Sequence, residues 1–438
     1  MNPHREEYSK KKISVEQALS MVKSGDMIWT SYNGLEPAAF MSKLHTIAPR
    51  VENVVLRHAG VYRPYPFVMD PACKGHIIPC TGFSDDYTRA MHDTRNTWFM
   101  PAHLSTGFAR AGLEETGIDI FVCMVSPMDD QGYFRMSLSV IAEQEAAEMA
   151  KMIILEVNPN LPQTNGDVEI HISDVDYLYE SNEPIVAFEE GAPGEVDMKI
   201  GKYVADLVPD GATIQLGIGN IPNAAALYFM EKNDLGIHTE MITSSMAKLA
   251  EAGVVNGKKK TLHRGKIIGN FALGSQELYD FIDQNPAVWL MRGSYTNDPY
   301  VIAQNDNMIS INSAIQVDMM GQICSESMGP IQYTGTGGAA DFAIGANHAK
   351  GGKSIIAIRS TAKKGTISTI QPILTPGSIV SISRNDIAYI VTEYGMVNLK
   401  GLSTWERAEA IISIAHPDFR EKLISQAEQM KIWRRSNK

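Results

Sequence analysis

Apolar and polar positions follow two periods along this chain. In SVEQALSMVKSGDMIWTSY an apolar residue returns every three or four positions from Val15 to Val22, with Ser14 before the run and Gly25 after it, and a mostly apolar run then leads to Tyr32. That spacing predicts a helix capped at Ser14, a turn at Gly25 and a buried strand. ENVVLRHAG and IDIFVCMVSP read as short strands that end in turn residues, and AAEMAKMIILEVNP as a helix passing into a strand. Strands separated by helical segments predict parallel βαβ units, whose ligands bind at the carboxyl ends of the strands.

The stretch from Glu189 to Glu195 breaks this rhythm with Gly, Pro and acidic residues, the composition of a linker. Beyond it, IGKYVADLVPDGATIQLGIG repeats the earlier order of amphipathic helix, Gly-containing turn and strand. The echo fits two related α/β domains in tandem, and it equally fits the general likeness of αβ units. The expected division is an N-terminal α/β domain over 1–190 and a C-terminal one over 196–438. DLGIHTEM, Asp234 to Met241, reads as one buried strand with Glu240 at its carboxyl end, followed by a helix capped at Thr243 or Ser244.

Composition narrows the class. The chain has 438 residues, 44% hydrophobic and 20% charged, as in ordinary globular proteins. A net charge of −11 argues against nonspecific nucleic-acid binding, which needs a basic face. The lysine clusters at Lys10–Lys12, Lys258–Lys260 and Lys363–Lys364 are expected to be solvated surface. Four cysteines without CxxC spacing predict a reducing compartment, and His76 between Cys73 and Cys80 lacks the ligand count and spacing of a zinc site. The N-terminal stretch has no secretory h-region, and no apolar run approaches the roughly 18 residues of a membrane span. A cytoplasmic protein with no metal, no nucleic-acid partner and no membrane partner is the expectation.

Three stretches could carry chemistry. In QLGIGNIPNAAALYFME a strand runs into Gly217-Ile218-Gly219 and a helix starts near Asn220 or Pro222. The amides of such a turn can meet a phosphate or a developing oxyanion, although Pro222 spoils a GxGxxG fingerprint. QYTGTGGAADF places Gly335, Gly337 and Gly338 before a helix expected from Asp341, either as a ligand-facing loop or as a plain connection. Glu240, on a strand beside the one ending at Gly217, could be a solvated strand end, a general base or a nucleophile. Taken alone, its residues leave these open.

Together with MVSPMDDQGYF in the first half, the segments LGIGNIPNA, LGIHTEM, INSAIQVDMMGQICSES, TGTGGAADF, SRNDIAYIVTEYG and IAHPDFR resemble the acetyl-CoA hydrolase/transferase family, in particular its 4-hydroxybutyrate and butyryl-CoA:acetate CoA-transferase branch. The resemblance spans nearly the whole chain. It implies two open α/β domains of similar fold with mainly parallel sheets, and an active site between them. It further implies Glu240 as nucleophile, CoA contacts at Gly217, Ile218, Gly219, Asn220, Ile221, Ile315 and Gly338, and the amides of Ile221 and Gly338 as oxyanion donors. His238 and Gly337 are candidate supporting residues, and a packing role for His238 is equally open. Coenzyme A would be a substrate and a covalent thioester intermediate, with no permanently bound cofactor. The partners implied are acyl-CoA and short carboxylic acids, in a homo-oligomer. Within the family an acetyl-CoA hydrolase is the alternative activity, and a non-catalytic CoA-binding protein is the alternative class.

Overall fold

The computed structural model describes residues 3–92, 96–106 and 113–434. Its contacts divide the chain into two units. The first is Met1–Phe188 together with Glu240–Ile242 and Ile268–Thr296; the second is Glu189–Thr239, Thr243–Ile267 and Asn297–Lys438. Two later segments, one of them holding Glu240, thus make their contacts in the first unit.

The first unit is built on a seven-stranded parallel sheet. Its strands are β1 (Met27–Thr30), β2 (Val54–His58), β3 (Ile77–Thr81), β4 (Trp98–Phe99), β5 (Ile120–Val125), β6 (Ile153–Val157) and β7 (Tyr177–Glu180), in the spatial order β4-β3-β2-β1-β5-β6-β7. The expected helix before β1 spans Val15–Met21. Its Gln17 amide donates to Ser14 Oγ at 3.2 Å and the Ser14 amide donates to Gln17 Oε1 at 2.8 Å, a reciprocal cap that satisfies two otherwise orphan donors. Gly25 then turns the chain at φ +82°, where a Cβ would be strained. Leu19, Phe40, Leu56, Phe67, Val122 and Ile154 pack into one core, each contributing about 1.5–3 kcal/mol of burial.

The second unit repeats this plan. Its main sheet contains β8 (Thr213–Leu216), β9 (Gly236–Ile237), β10 (Met308–Ser313), β11 (Lys353–Ala357), β12 (Tyr389–Thr392) and β13 (Gly395–Asn398), in the order β9-β8-β10-β11-β12-β13. All pairs are parallel except β12 with β13. The echoed helix is α1 (Glu195–Leu207), followed by Gly211 at φ +76° and then β8. In both units the first strand lies where the strand order reverses, between β2 and β5 in one and between β9 and β10 in the other. Loops leaving adjacent strands at such a reversal part to opposite sides and open a crevice at the carboxyl ends.

DLGIHTEM is not one strand. Gly236–Ile237 pairs with β8, with His238 N donating to the Ile214 carbonyl at 3.2 Å. The chain then bends at Glu240, and Met241–Ile242 pairs instead with Phe271–Ala272 in a separate two-stranded sheet. The apolar run is continuous in sequence, but its two halves find different strand partners. Among the described residues no helix is long and apolar enough to cross a membrane.

Candidate active site

The glycine turn after β8 sits at the strand-order reversal of the second unit. Gly217 N donates to the Ile311 carbonyl on β10 at 2.8 Å, which closes the end of the strand pair. Gly219 has φ +103° and ψ −175°, a conformation essentially restricted to glycine, and it caps helix α2 (Asn220–Phe229). Ile221 is the second residue of α2, so its amide has no acceptor within the helix, and Pro222 offers no amide at all. The Asn223 amide is already bonded to the Gly219 carbonyl at 3.1 Å. The first turn therefore directs the amides of Asn220 and Ile221 outward, beside Ile218, whose side chain is exposed although apolar.

Three buried polar side chains brace this turn from below. Gln215 Oε1 accepts from Ser310 Oγ at 2.9 Å, from Ile311 N at 3.2 Å and from Asn312 Nδ2 at 3.1 Å, while Gln215 Nε2 donates to Asn312 Oδ1 at 3.0 Å. Such a network fixes the register of β8 against β10 at their carboxyl ends. Ile315, which follows β10, already donates its amide to the Cys324 carbonyl at 2.9 Å, leaving its carbonyl and side chain as the groups with which it could meet a ligand.

The second glycine loop also lies in this unit. Gly337 has φ +57°, and Gly338 caps α3 (Ala339–His348), which begins two residues before the expected Asp341. The earlier start places Gly338 itself at the helix N-terminus, where the helix dipole favours negative charge. Glu326 holds the loop from behind: its carbonyl accepts from the amides of Tyr333 at 2.7 Å and Thr334 at 3.1 Å, and its carboxylate from Thr336 Oγ1 at 3.2 Å.

Glu240 is partly buried. In the first unit its carbonyl accepts from Asn270 N at 2.9 Å and Phe271 N at 3.3 Å. Asn270 and Ala272 are bonded in turn to the segment after β5: Val140 N donates to the Asn270 carbonyl and Ala272 N to the Leu138 carbonyl, both at 2.8 Å. Leu273, whose amide donates to the Ile242 carbonyl at 3.3 Å, packs on Gly34 in the loop after β1. Hence Glu240 is tied to the loops that leave β1 and β5, the strands flanking the reversal of the first unit. The loop after β1 also holds the buried Glu36, whose carboxyl is pushed up to about 7 by burial, offset in part by the Arg63 charge.

His238 does not share a regular strand face with Glu240, because the bend intervenes. In the second unit its ring is fully buried, edge-on to Phe342 at 6.1 Å between centroids and 3.5 Å from Asn305 Nδ2. Lys363 and Lys364 occupy a tight turn at φ +47° and +58°. Asp386 accepts through its carbonyl from Asn347 Nδ2 and Ser354 Oγ, so the Arg384–Asp386 segment is loop scaffolding. The expectation of a solvated Lys258–Lys260 cluster is corrected at its last member, since Lys260 is only 4% exposed. Residue type could not separate one buried lysine from its two solvated neighbours. Gln215, Ser310 and Asn312 were likewise missed; their one signal is polar residues inside buried strands, Gln215 in β8 and Ser310 with Asn312 in β10.

The helix starts at Gly219 and Gly338, both in the second unit, are places where main-chain amides favour an anionic or oxyanionic group. Residues 88–190 match the acetyl-CoA hydrolase/transferase N-terminal domain and residues 274–427 the C-terminal domain. The chain is 50% identical over 309 residues to the 4-hydroxybutyrate coenzyme A transferase of Clostridium kluyveri, covering 70% of this chain and 72% of that protein. It is 39% identical to the butyryl-CoA:acetate CoA-transferase of Anaerostipes caccae, across 99% of both chains. The crystal structure of RipA from Yersinia pestis superposes with a TM-score of 0.93 at 37% identity, covering 98% of this chain and 99% of that one. The chain belongs to the acetyl-CoA hydrolase/transferase family.

Proposed function

We propose that this protein is a CoA-transferase that moves CoA between a short-chain acyl-CoA and a short-chain carboxylic acid, with 4-hydroxybutyrate or butyrate and acetate as the acids. The observation that carries the reading is the glycine turn Gly217–Ile221 opening α2 at the strand-order reversal, a place built for a phosphate-bearing or oxyanionic ligand. The names of the two transferase relatives support the choice of acids.

In the proposed sequence a Glu240 carboxylate oxygen attacks the thioester carbonyl. The carbon–sulfur bond breaks, CoA leaves as thiolate, and a mixed anhydride remains. The thiolate then attacks the glutamyl carbonyl, the carbon–oxygen bond to the acyl group breaks, and a free carboxylate departs from a glutamyl-CoA thioester. A second acid runs the steps in reverse, so the kinetics are ping-pong. The amides of Ile221 and Gly338 would receive the oxygen that becomes negative in each tetrahedral intermediate, and losing one such donor costs about 100-fold or more in rate.

The test is acyl-CoA followed by borohydride, which reduces a glutamyl thioester to a stable alcohol that mass spectrometry can place. Modification at Glu240, and loss of exchange by about 10³-fold or more in Glu240→Ala, are expected. Glu240→Asp, which withdraws the carboxylate by one methylene, should lose most of the rate. Unmodified wild-type enzyme, or near-normal exchange in Glu240→Ala, would refute the nucleophile. Thiol release from butyryl-CoA that ignores added acetate would make the enzyme a hydrolase.

A further inference from the structure

Strand β9 is the edge of its sheet, so among the described residues the outward carbonyls of Leu235 and Ile237 face no further strand of it, only the isolated bridge of Leu235 to Val255. The excursion that follows the helix Ser244–Glu251 folds back to satisfy them. Asn256 N and Gly257 N donate to the Leu235 carbonyl at 3.1 and 3.0 Å, and Lys260 Nζ donates to the Ile237 carbonyl at 2.7 Å. The same ammonium donates to the Lys266 carbonyl at 2.9 Å. Both partners of Lys260 are main-chain carbonyls, and burial pushes its ammonium down to about 7. An amine costly to bury in its charged form is held here without a carboxylate to pair it, which asks for a reason beyond surface charge.

The two carbonyls are special in sequence. Ile237 precedes Glu240 by three residues, and Lys266 precedes Asn270 by four; Asn270 and Phe271 are the residues whose amides hold the Glu240 carbonyl. Lys260 therefore ties together the two strands of chain that next meet at the nucleophile. Gly236, in the LGIHTEM motif, belongs to the same device. A Cβ at that position would overlap the Lys260 side chain at Cγ and Cδ, so glycine there leaves the channel along β9 in which the lysine lies.

We infer that Lys260 is a positioning residue for Glu240, setting the path of the chain on either side of the nucleophile without touching substrate. The inference rests on the reading of Glu240 as nucleophile. Misplacing a reacting group by about 1 Å can cost ~100-fold in rate. In Lys260→Met, kcat for butyryl-CoA:acetate exchange should fall by about 10- to 100-fold while KM for butyryl-CoA stays within about twofold, and borohydride trapping at Glu240 should slow in proportion. Gly236→Ala keeps every hydrogen-bonding group but displaces the lysine stem, and should give the same split. Lys260→Arg, which retains a cationic two-pronged donor, should recover part of kcat.

A folded Lys260→Met or Gly236→Ala enzyme, shown by circular dichroism, with kcat within twofold of wild type would overturn the inference. So would failure of both variants to fold, which would make the lysine a residue of stability alone. Wild-type enzyme that is never labelled at Glu240 would sink the nucleophile reading, and this inference with it. Labelling at the wild-type rate in Lys260→Met would sink this inference only.

Discussion

Replacing Gln215 by Met, which has nearly the same volume, deletes the centre of the polar network beneath the glycine turn. In the wild type Gln215 makes four hydrogen bonds, three through Oε1 and one through Nε2. Asn312 Nδ2 keeps a partner after the change, because it also donates to Ser310 Oγ at 2.9 Å. The Ser310 hydroxyl proton and Asn312 Oδ1 lose theirs, whereas the Ile311 amide keeps its ladder bond to the Gln215 main-chain carbonyl. Each buried group left unsatisfied costs about 1–3 kcal/mol, and the thioether recovers part of that by apolar burial, so a net loss of about 3 kcal/mol is expected. A loss of that size is a large share of the about 5–15 kcal/mol that a folded domain has in hand. The assay is urea unfolding followed by circular dichroism, paired with KM for butyryl-CoA. The unfolding midpoint should fall, and KM should rise about tenfold as the Gly217 turn loosens, the equivalent of about 1.4 kcal/mol. Adding Asn312→Leu should restore part of the stability, since removing both partners is cheaper than removing one. A Gln215→Met protein within about 0.5 kcal/mol of wild type would show that the network does not hold the two strands in register.

The buried Glu36 carboxyl titrates near 7 when folded, against 4.5 in an ordinary setting. The folded state therefore binds the proton more tightly, and the stabilisation it brings is full below pH 4.5 and is lost as pH rises through about 7, about 3 kcal/mol in all. Glu36→Gln should flatten the stability–pH curve in that window relative to wild type; an unchanged difference between the two proteins from pH 4.5 to 8 would contradict the assignment. Gly201→Ala should destabilise by about 1–3 kcal/mol, because its Cβ would meet the Ala224 carbonyl carbon at 2.7 Å and push α2 off α1. Thermal unfolding measures this, and an unshifted midpoint would mean the helices can separate at no cost.

Much of this plan was legible because local chemistry and fold agree. Ser14 with Gln17 is a capping pair that needs no tertiary help, and Gly217 with Gly219 marks a turn only glycine makes easily. The parallel sheets followed from strands spaced by helices. What was not legible depends on partners far away in sequence. The bend at Glu240 arises because Met241 finds Phe271, thirty residues on, while Ile237 finds Ile214 behind it. The start of α3 at Ala339 rather than Asp341 depends on the backbone of Gly338, which residue type leaves free. Lys260 sits in a run of three lysines whose composition speaks for solvent, and only the fold of the excursion takes the third inside.

The assignment of Glu240–Ile242 and Ile268–Thr296 to the first unit bears on the order in which the chain can fold. A fragment ending at Phe188 lacks two pieces of its own unit, including the partner of Leu138 and Val140 at the end of the sheet. During synthesis that unit waits for Val288–Leu290 before its last strand pair, with Ile267–Gly269, can close, by which time the residues of β8, β9 and the lysine clamp have all emerged. Glu240 thus belongs to the part of the molecule that is finished late, and no cut at the linker near residue 190 yields two self-sufficient halves.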